Sequence, residues 1–125
     1  MNRLWYYITA FLYYCFGNQE FLKLGGKARS PHWRRFRAEQ IQKRGGKCEL
    51  CGGLDVLELH HIESFASNPS RELDPENTII LCESGKNGVV CHRFFGHYGD
   101  YRKINPSVVE DVRLWNVKLR SAIIR

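Results

Sequence analysis

Two adjacent histidines, His60 and His61, end an apolar run in the segment LELHHIES (residues 57–64) of a chain that has five histidines. Imidazole has two chemistries near neutral pH, since it can exchange a proton or bind a metal ion. The run around the pair alternates imperfectly and predicts a β-strand, in which successive side chains point to opposite faces. The two rings are therefore expected to have different tasks.

Four of the five cysteines form two pairs, Cys48-x-x-Cys51 and Cys82…Cys91. A CxxC at a glycine-rich turn brings two thiolates to one point, and four soft ligands suit tetrahedral zinc. Because eight residues separate Cys82 from Cys91, the intervening ESGKNGVV must loop out. A closed site of this kind has no position for water, so its zinc would stabilise the fold and not catalyse. The alternative is that Cys91, or both later cysteines, are small buried residues.

The uncharged aromatic segment Leu4–Phe16 is set apart from the rest of the chain by Gly25-Gly26. Its thirteen residues fall short of the ~20 that span a bilayer, and the absence of a small-x-small cleavage site argues against a signal peptide. Residues 1–24 are interpreted as an appendage that packs on the domain or on a partner, with membrane-surface contact as an alternative. Cys15 within it is interpreted as a plain buried thiol, and the odd cysteine count favours metal in a reducing compartment over disulfides.

The net charge of +6 is unevenly distributed along the chain. Residues 23–47 contain nine lysines and arginines and one acid, whereas residues 49–76 contain seven acids and one base. The pattern fits a basic arm that grips a polyanion, with cation chemistry near the acids. Solvated surface charge explains it equally well. A length of 125 residues suits one compact domain with a small core, which a metal would help to hold.

Turn-forming residues divide the domain at residues 25–125 into an α+β order of elements. Ser30-Pro31 predicts the start of a basic helix that ends at Gly45-Gly46. Strands are predicted at residues 56–62 and 78–81, followed by a short helix from Cys91 to the region of Gly96. A capping box of Ser107 and Glu110 opens a C-terminal amphipathic helix. Its apolar residues recur at helical spacing and predict packing on the core: Val108, Val112, Trp115, Leu119 and Ile123.

Three segments in order, LELHHIES, LDPENTIILCE and VVCHRFFGHYGD, resemble the HNH endonuclease family, whose sites lie in a ββα-metal motif of the His-Me finger type. The resemblance covers residues 47–100, and the combination of HHI, DP-x-N and FGH is similar to small HNH proteins of bacteriophages. It implies a small α+β fold in which the ββα-metal core is flanked by the basic helix, the C-terminal helix and a structural zinc.

The resemblance implies a role for each residue that matches the motif. His60 takes the position of the first metal ligand, and His61 takes that of the general base that activates water. Asn77 matches the central Asn, which ties the loop between the strands to the backbone and so orients the base; its amide can donate and accept at once. His92 matches the final His and would be the second metal ligand, at the start of the short helix.

His97 and Arg93 are less closely defined by the resemblance. Some family members use a further helix residue, typically four positions on, as a third ligand. The gap from His92 to His97 is five residues, or about 140° further round an ideal helix. His97 is thus either a third ligand or a residue that supports the site or contacts DNA. Arg93 is a candidate clamp on the transition state, with a contact to the phosphate backbone as the alternative.

The implied activity is metal-dependent hydrolysis of DNA phosphodiester bonds, with nicking and low sequence specificity. The cofactors would be a divalent ion (Mg, Mn or another) at the histidines and the structural zinc. The residues expected to hold DNA phosphates are Arg34, Arg35, Arg37, Lys43, Arg44 and Lys47. The rival reading is a non-catalytic, zinc-stapled nucleic-acid-binding module, which would have no use for His61, Asn77 and His92 together.

Further partners are implied only by the resemblance and by the N-terminal segment. Phage members of the family are thought to work beside the DNA-packaging machinery, so a protein partner of that kind is an expectation here. A double-strand break would require a homodimer or two visits. No membrane span is expected, and the expected location is the cytoplasm, that of the host cell if a phage encodes the chain.

Overall fold

The computed structural model describes residues 29–121, together with Ile8. The rest of the predicted N-terminal appendage, including Cys15, and Ile123 therefore lie outside the described residues. Within the described part, no helix is both long enough and apolar enough to cross a membrane. The elements follow in the order α1 (Trp33–Lys43), β1 (Leu57–His61), 3₁₀ turns at Pro69–Arg71 and Pro75–Asn77, β2 (Thr78–Cys82), a π-helical turn (His92–Gly96) and α2 (Val108–Arg120).

The two strands form an antiparallel hairpin-like sheet, which confirms the small α+β class. Leu57 pairs with Cys82, and His61 pairs with Thr78. Both strands agree with the predicted ranges to within one residue at each end. Because side chains alternate along a strand, the register sends His60 and His61 to opposite faces of the sheet.

The core lies on one face of β2, where the strand meets the cysteines and α2. Ile79 and Leu81 pack with the buried cysteines and with Val108 and Val112 of α2. Ile80 points to the other face and is also fully buried. All five residues of β2 are therefore buried, as in a strand that is covered on both sides.

The N-terminal capping contacts of both helices differ from the sequence prediction. His32, and not Ser30, occupies the N-cap of α1, because the Ser30 hydroxyl accepts the His32 N–H at 3.2 Å in the preceding turn. Ser107 does cap α2 by position, but its side chain makes no capping hydrogen bond. Asn105 makes hydrogen bonds at this helix end instead: its Oδ1 accepts the Ser107 N–H at 2.9 Å, and its Nδ2 donates to the carboxylate of Asp111 at 2.8 Å. The predicted capping box is wrong.

The apolar face of α2 is buried only along its first turns. Val108 and Val112 are 0% and 3% exposed, whereas Trp115 and Leu119 are 44% and 49% exposed. Trp115 still packs edge-on against Phe95, with ring centroids 5.9 Å apart. The prediction of core packing therefore holds for the first half of the helix and not for the second.

Candidate active site and metal centres

Four cysteines converge in the core and form a thiol cluster (Cys48, Cys51, Cys82, Cys91). Their sulfur atoms all lie within 4.8 Å of one another, and the Sγ atoms of Cys51 and Cys82 are 3.7 Å apart. Two thiolates bound to one tetrahedral zinc, each at about 2.3 Å, are about 3.8 Å apart. The cluster could therefore hold a metal ion such as zinc, as the cysteine spacing predicts.

The thiol cluster is built by a tight turn at residues 48–53 and by the loop between Cys82 and Cys91, which contains Asn87. In the turn at residues 48–53, Cys48 N–H donates to Gly53 O at 2.8 Å and Gly52 N–H donates to Cys48 O at 2.9 Å. Gly52 has a φ of +75°, a backbone conformation that glycine adopts without a steric penalty. Gly53 N–H and Asn87 Nδ2 both lie 3.4 Å from Cys51 Sγ, so two donors can stabilise a thiolate there.

The thiols of the cluster compete for protons. A hydrogen bond from Cys91 lowers the pKa of Cys48 to about 4. The same hydrogen bond and burial raise the pKa of Cys91, and burial raises that of Cys82. Because one ionised sulfur makes ionisation of the next unfavourable, all four can become thiolates together only beside a cation.

Three histidines form a second group, the imidazole cluster (His60, His92, His97). Nε2 of His92 lies 3.1 Å from Nδ1 of His60 and 3.2 Å from Nε2 of His97. Two imidazole nitrogens on one metal at about 2.0–2.1 Å are about 3.0 Å apart in octahedral geometry and about 3.4 Å apart in tetrahedral geometry. The three nitrogens are therefore spaced as ligands of a single divalent ion would be.

The π-helical turn explains how His97 joins this cluster. An ideal α-helix would place His97 about 140° away from His92. Residues His92–Gly96 instead form a π-helical turn, whose hydrogen bonds run from residue i to i+5. The wider turn returns the sixth residue toward the first, so a spacing of five brings the two imidazoles together.

Because Gly96 has no side chain, the ring of His60 can lie directly against the helix backbone at this position. A Cβ atom at this position would lie 3.0 Å from His60 Cε1 and 3.1 Å from His60 Nδ1. It would also lie 3.3 Å from Cδ2 of His92. A side chain of any size would displace an imidazole, so the close approach of the helix backbone to β1 depends on glycine here.

The ring of His60 is kept uncharged by its surroundings. Burial, with smaller contributions from His92 and His97, lowers its pKa to about 3. Its Nδ1 faces the other two imidazoles, whereas its Nε2 is buried and has no hydrogen-bond partner among the described residues. Metal ions bind the uncharged form of imidazole, and the Nδ1 atom of His60 lies where it could offer a lone pair to such an ion.

The outer nitrogens of His92 and His97 are anchored by other groups. Nδ1 of His92 hydrogen-bonds to Glu83 Oε1, and Glu83 Oε2 accepts the Tyr101 hydroxyl at 2.7 Å. Nδ1 of His97 donates to Lys103 O at 2.7 Å. Such contacts fix the ring orientation, so both Nε2 atoms point into the cluster. Glu83 and Tyr101 were not among the predicted site residues; the position of Glu83 directly after Cys82 is the only hint that the sequence contains.

His61 lies on the opposite face of β1, in a separate set of contacts. Its Nε2 donates to Glu72 O at 2.9 Å, and its ring stacks on Trp33 with centroids 4.7 Å apart. Nδ1 therefore carries the lone pair, and Arg29 Nη1 lies 3.2 Å from it. Burial lowers the pKa of His61, so its ring is neutral at neutral pH and can accept a proton.

Asn77 makes the hydrogen bonds of a loop clasp. Its Oδ1 accepts the Glu63 N–H at 2.8 Å, and its Nδ2 donates to Glu63 O at 3.0 Å and to Arg71 O at 3.2 Å. Arg71 directly precedes Glu72, whose carbonyl binds His61. The clasp thus fixes the carbonyl that orients the ring of His61.

The two faces of the histidine pair open on one cavity of about 260 Å³. All four histidines of the region line it, as do Arg29 and the aromatic side chains of Trp33 and Phe65. Arg93 does not line the cavity, because its Nε donates to Gly99 O at 2.8 Å. The arginine at the site is Arg29, which the sequence analysis did not single out.

Several residues of the predicted DNA-binding arm have internal partners. Arg37 donates to Leu57 O at 2.6 Å and pairs with Glu58 at 3.3 Å. Arg44 donates to the Thr78 hydroxyl at 2.8 Å and to Glu49 at 2.8 Å. These two arginines fasten α1 and the following turn to the sheet.

The other basic residues of the arm are more exposed. Arg35 forms an ion pair with Glu39 one turn further along α1, at 2.8 Å. Arg34, Lys43 and Lys47 are exposed, and none of them forms an ion pair or a side-chain hydrogen bond with another described residue. These exposed cations are the members of the arm that remain available to a polyanion.

Comparison with known proteins adds no family assignment. No protein-family model matches the chain, and no match was found among the curated proteins or the solved structures. The resemblance to HNH endonucleases therefore rests on the motif residues and on the arrangement described above.

Proposed function

We propose that this chain is a metal-dependent endonuclease of the HNH type, which hydrolyses phosphodiester bonds of DNA with little sequence preference. One observation carries the proposal. Two adjacent histidines on β1 face opposite ways and line one cavity, and His60 joins two further imidazoles while His61 presents a neutral nitrogen. Such an arrangement is expected when one histidine binds the metal ion and its neighbour acts as the general base.

The residues of the cavity suit each part of the reaction. A divalent ion held by His60, His92 and His97 would stabilise the negative charge that develops on the phosphate. His61 takes the proton of the attacking water at Nδ1, while its Nε2–H stays bonded to Glu72 O. The oxygen of that water bonds to phosphorus as the bond to the departing 3′ oxygen breaks, and solvent supplies the proton that this oxygen gains.

The donor set narrows the choice of the ion. All three nitrogens come from imidazoles, and no carboxylate of the described residues belongs to this cluster. Imidazole favours zinc, nickel, cobalt and manganese more than magnesium, which prefers oxygen ligands. We therefore infer that activity is highest with one of the transition-metal ions and lower with magnesium.

DNA is the partner that this function requires. The exposed cations Arg34, Lys43 and Lys47 would contact phosphates without reading bases. A single site of this size nicks one strand, and a second copy of the chain would be needed for a double-strand break in one event. A protein partner in phage DNA packaging and a location in the host cytoplasm belong to the same proposal and rest on the resemblance alone.

The test compares His61→Ala with His32→Ala in a plasmid-nicking assay with a panel of divalent ions. His61→Ala should lower the nicking rate by about 10²-fold or more, because the general base is lost, while DNA affinity stays unchanged. His32→Ala removes a histidine outside the cavity and should nick at the wild-type rate. Undiminished nicking by His61→Ala would contradict the assignment of the base. DNA binding without cleavage by the wild-type chain, with every ion, would favour the non-catalytic module instead.

A further inference from the structure

The side chain of Arg29 occupies an unusual position in the cavity. Its guanidinium carbon lies 4.7 Å from the ring centroids of both Trp33 and Phe65. Its Nη1 lies 3.2 Å from Nδ1 of His61. Two aromatic faces thus hold a cation directly beside the proposed base.

The hydrogen bond from Arg29 occupies the atom that the reaction needs. A neutral imidazole has one donor nitrogen and one acceptor nitrogen. Nε2 of His61 is the donor, since it is bonded to Glu72 O. Nδ1 is then the sole acceptor of the ring, and a water molecule cannot lose a proton to it while Arg29 donates there. Arg29 must therefore leave Nδ1 before His61 can act.

The described residues balance the charge of Arg29 only in part. Among them, the nearest carboxylate is that of Glu72, whose Oε1 lies 3.9 Å from Nη1, and both Glu72 oxygens accept the Ser30 N–H, at 3.1 and 3.2 Å. Glu58 also lines the cavity, but it pairs with Arg37. Burial lowers the pKa of Arg29 and Glu72 raises it by less. A guanidinium has five N–H donors, and only the contact to His61 uses one among the described residues.

An anion in the cavity would be a better acceptor for these donors than an imidazole nitrogen. A guanidinium binds phosphate oxygens through two parallel hydrogen bonds, which a single ring nitrogen cannot match. The side chain of Arg29 lines the cavity and is 42% exposed, so an incoming ligand can reach it.

We propose that Arg29 is a phosphodiester-binding residue that moves between two acceptors: Nδ1 of His61 in the free protein and a non-bridging phosphate oxygen in the complex. The identity of the ligand as a phosphodiester rests on the proposed function. Binding of the phosphate withdraws the guanidinium from His61, and Nδ1 becomes available to water. The base is thereby exposed only when the phosphate is in place.

The experiment uses the full chain labelled with ¹⁵N-histidine and a thymidine dinucleotide, which contains one phosphodiester. Titration with the dinucleotide gives a dissociation constant and should shift the Nδ1 resonance of His61. Arg29→Gln should raise the dissociation constant by about tenfold or more, and Arg29→Lys should fall between the two. Arg113→Gln removes the same charge from the exposed face of α2 and should leave the constant within about twofold, as expected for a screened surface charge.

Two results would overturn this proposal. The first is equal affinity of the dinucleotide for the wild-type chain and Arg29→Gln. The second is binding to the wild-type chain without any shift at Nδ1 of His61. The wild-type titration decides the second point even if Arg29→Gln folds poorly. If the chain binds the dinucleotide through Arg29 but fails to nick DNA with every divalent ion tested, the anion site stays supported and only the nuclease activity is refuted.

Discussion

The thiol cluster and the imidazole cluster are joined through the same two stretches of chain, but they differ in their exposure. Cys82 precedes Glu83, which orients His92, and Cys91 directly precedes His92. Cys48, Cys82 and Cys91 are at most 2% exposed and lie in the core, whereas the imidazole cluster opens on the cavity. A complete set of four sulfur donors suits an ion that would hold the fold, and three donors beside a cavity would leave a coordination position for a reactant.

The neighbouring pairs Cys82-Glu83 and Cys91-His92 connect the two clusters, and we expect the imidazole cluster to depend on the thiol cluster more than the reverse. Movement of Cys82 or Cys91 would displace Glu83 and His92, because each pair is covalently linked. The thiols are held in addition by the core, where β2 and Val108 and Val112 of α2 pack around them, so a change at the imidazoles should not move them. We therefore expect damage to the thiols to abolish both centres and damage to the imidazoles to abolish one.

Cys48→Ser should have the largest effect, because it removes one of the four thiols that could hold a zinc ion in the core. A structural zinc contributes about 10–16 kcal/mol, against a total stability of about 5–15 kcal/mol for a domain. The variant should be largely unfolded at 25 °C, as measured by circular dichroism, and should retain neither metal. Cys15→Ser, which changes a cysteine with no predicted ligand role, is the matched control. A folded Cys48→Ser with wild-type melting temperature would show that the thiols are only small core residues.

His97→Ala should separate the two centres. The variant removes one of three nitrogens from the imidazole cluster and leaves the core untouched, so the chain should remain folded with the metal of the thiol cluster in place. Affinity for the second ion should fall by more than the ~10–100-fold that loss of a supporting partner costs, and nicking should fall with it. Calorimetric titration with manganese or zinc, beside circular dichroism, measures both quantities. Unchanged affinity would limit the site to His60 and His92.

The spacing of residues was sufficient to predict the strands, the thiol cluster and the placement of His60 and His61. Alternation in a strand and the geometry of CxxC are local properties, so they can be read without the rest of the fold. The position of His97 depended on a π-helical turn, and a spacing of five in an ordinary helix predicts divergence. The choice between the two could not be made from the residues alone.

The contacts at the site that the sequence analysis missed join distant segments. Arg29 reaches His61 across 32 residues, and Tyr101 reaches Glu83 across 18 residues. The failed capping box has a different origin, because Asn105 lies only two residues before Ser107 and accepts its N–H. Asn and Ser both form local hydrogen bonds with the backbone, so two neighbouring candidates compete for the cap.

Gly96→Ala should have the smallest effect of the three and should act on the imidazole cluster alone. The new Cβ would lie 3.0 Å from His60 Cε1, so the ring must move by a few tenths of an ångström, whereas the backbone at Gly96 has no positive φ and tolerates alanine. Metal affinity at the imidazoles should fall about tenfold, because ligand geometry is sensitive to such shifts, with little loss of stability.

Gly46→Ala is the matched control for this test, because it should lower the folding stability and leave the metal affinity unchanged. Gly46 has a φ of +61° and no atom within 4 Å of the position that a Cβ would take. Alanine there should cost about 1–2 kcal/mol of folding free energy through backbone strain and should leave metal affinity unchanged. If Gly96→Ala instead lost stability and kept its affinity for the ion, the close approach of the helix backbone to His60 would serve packing. That result would contradict a metal site at the imidazole cluster.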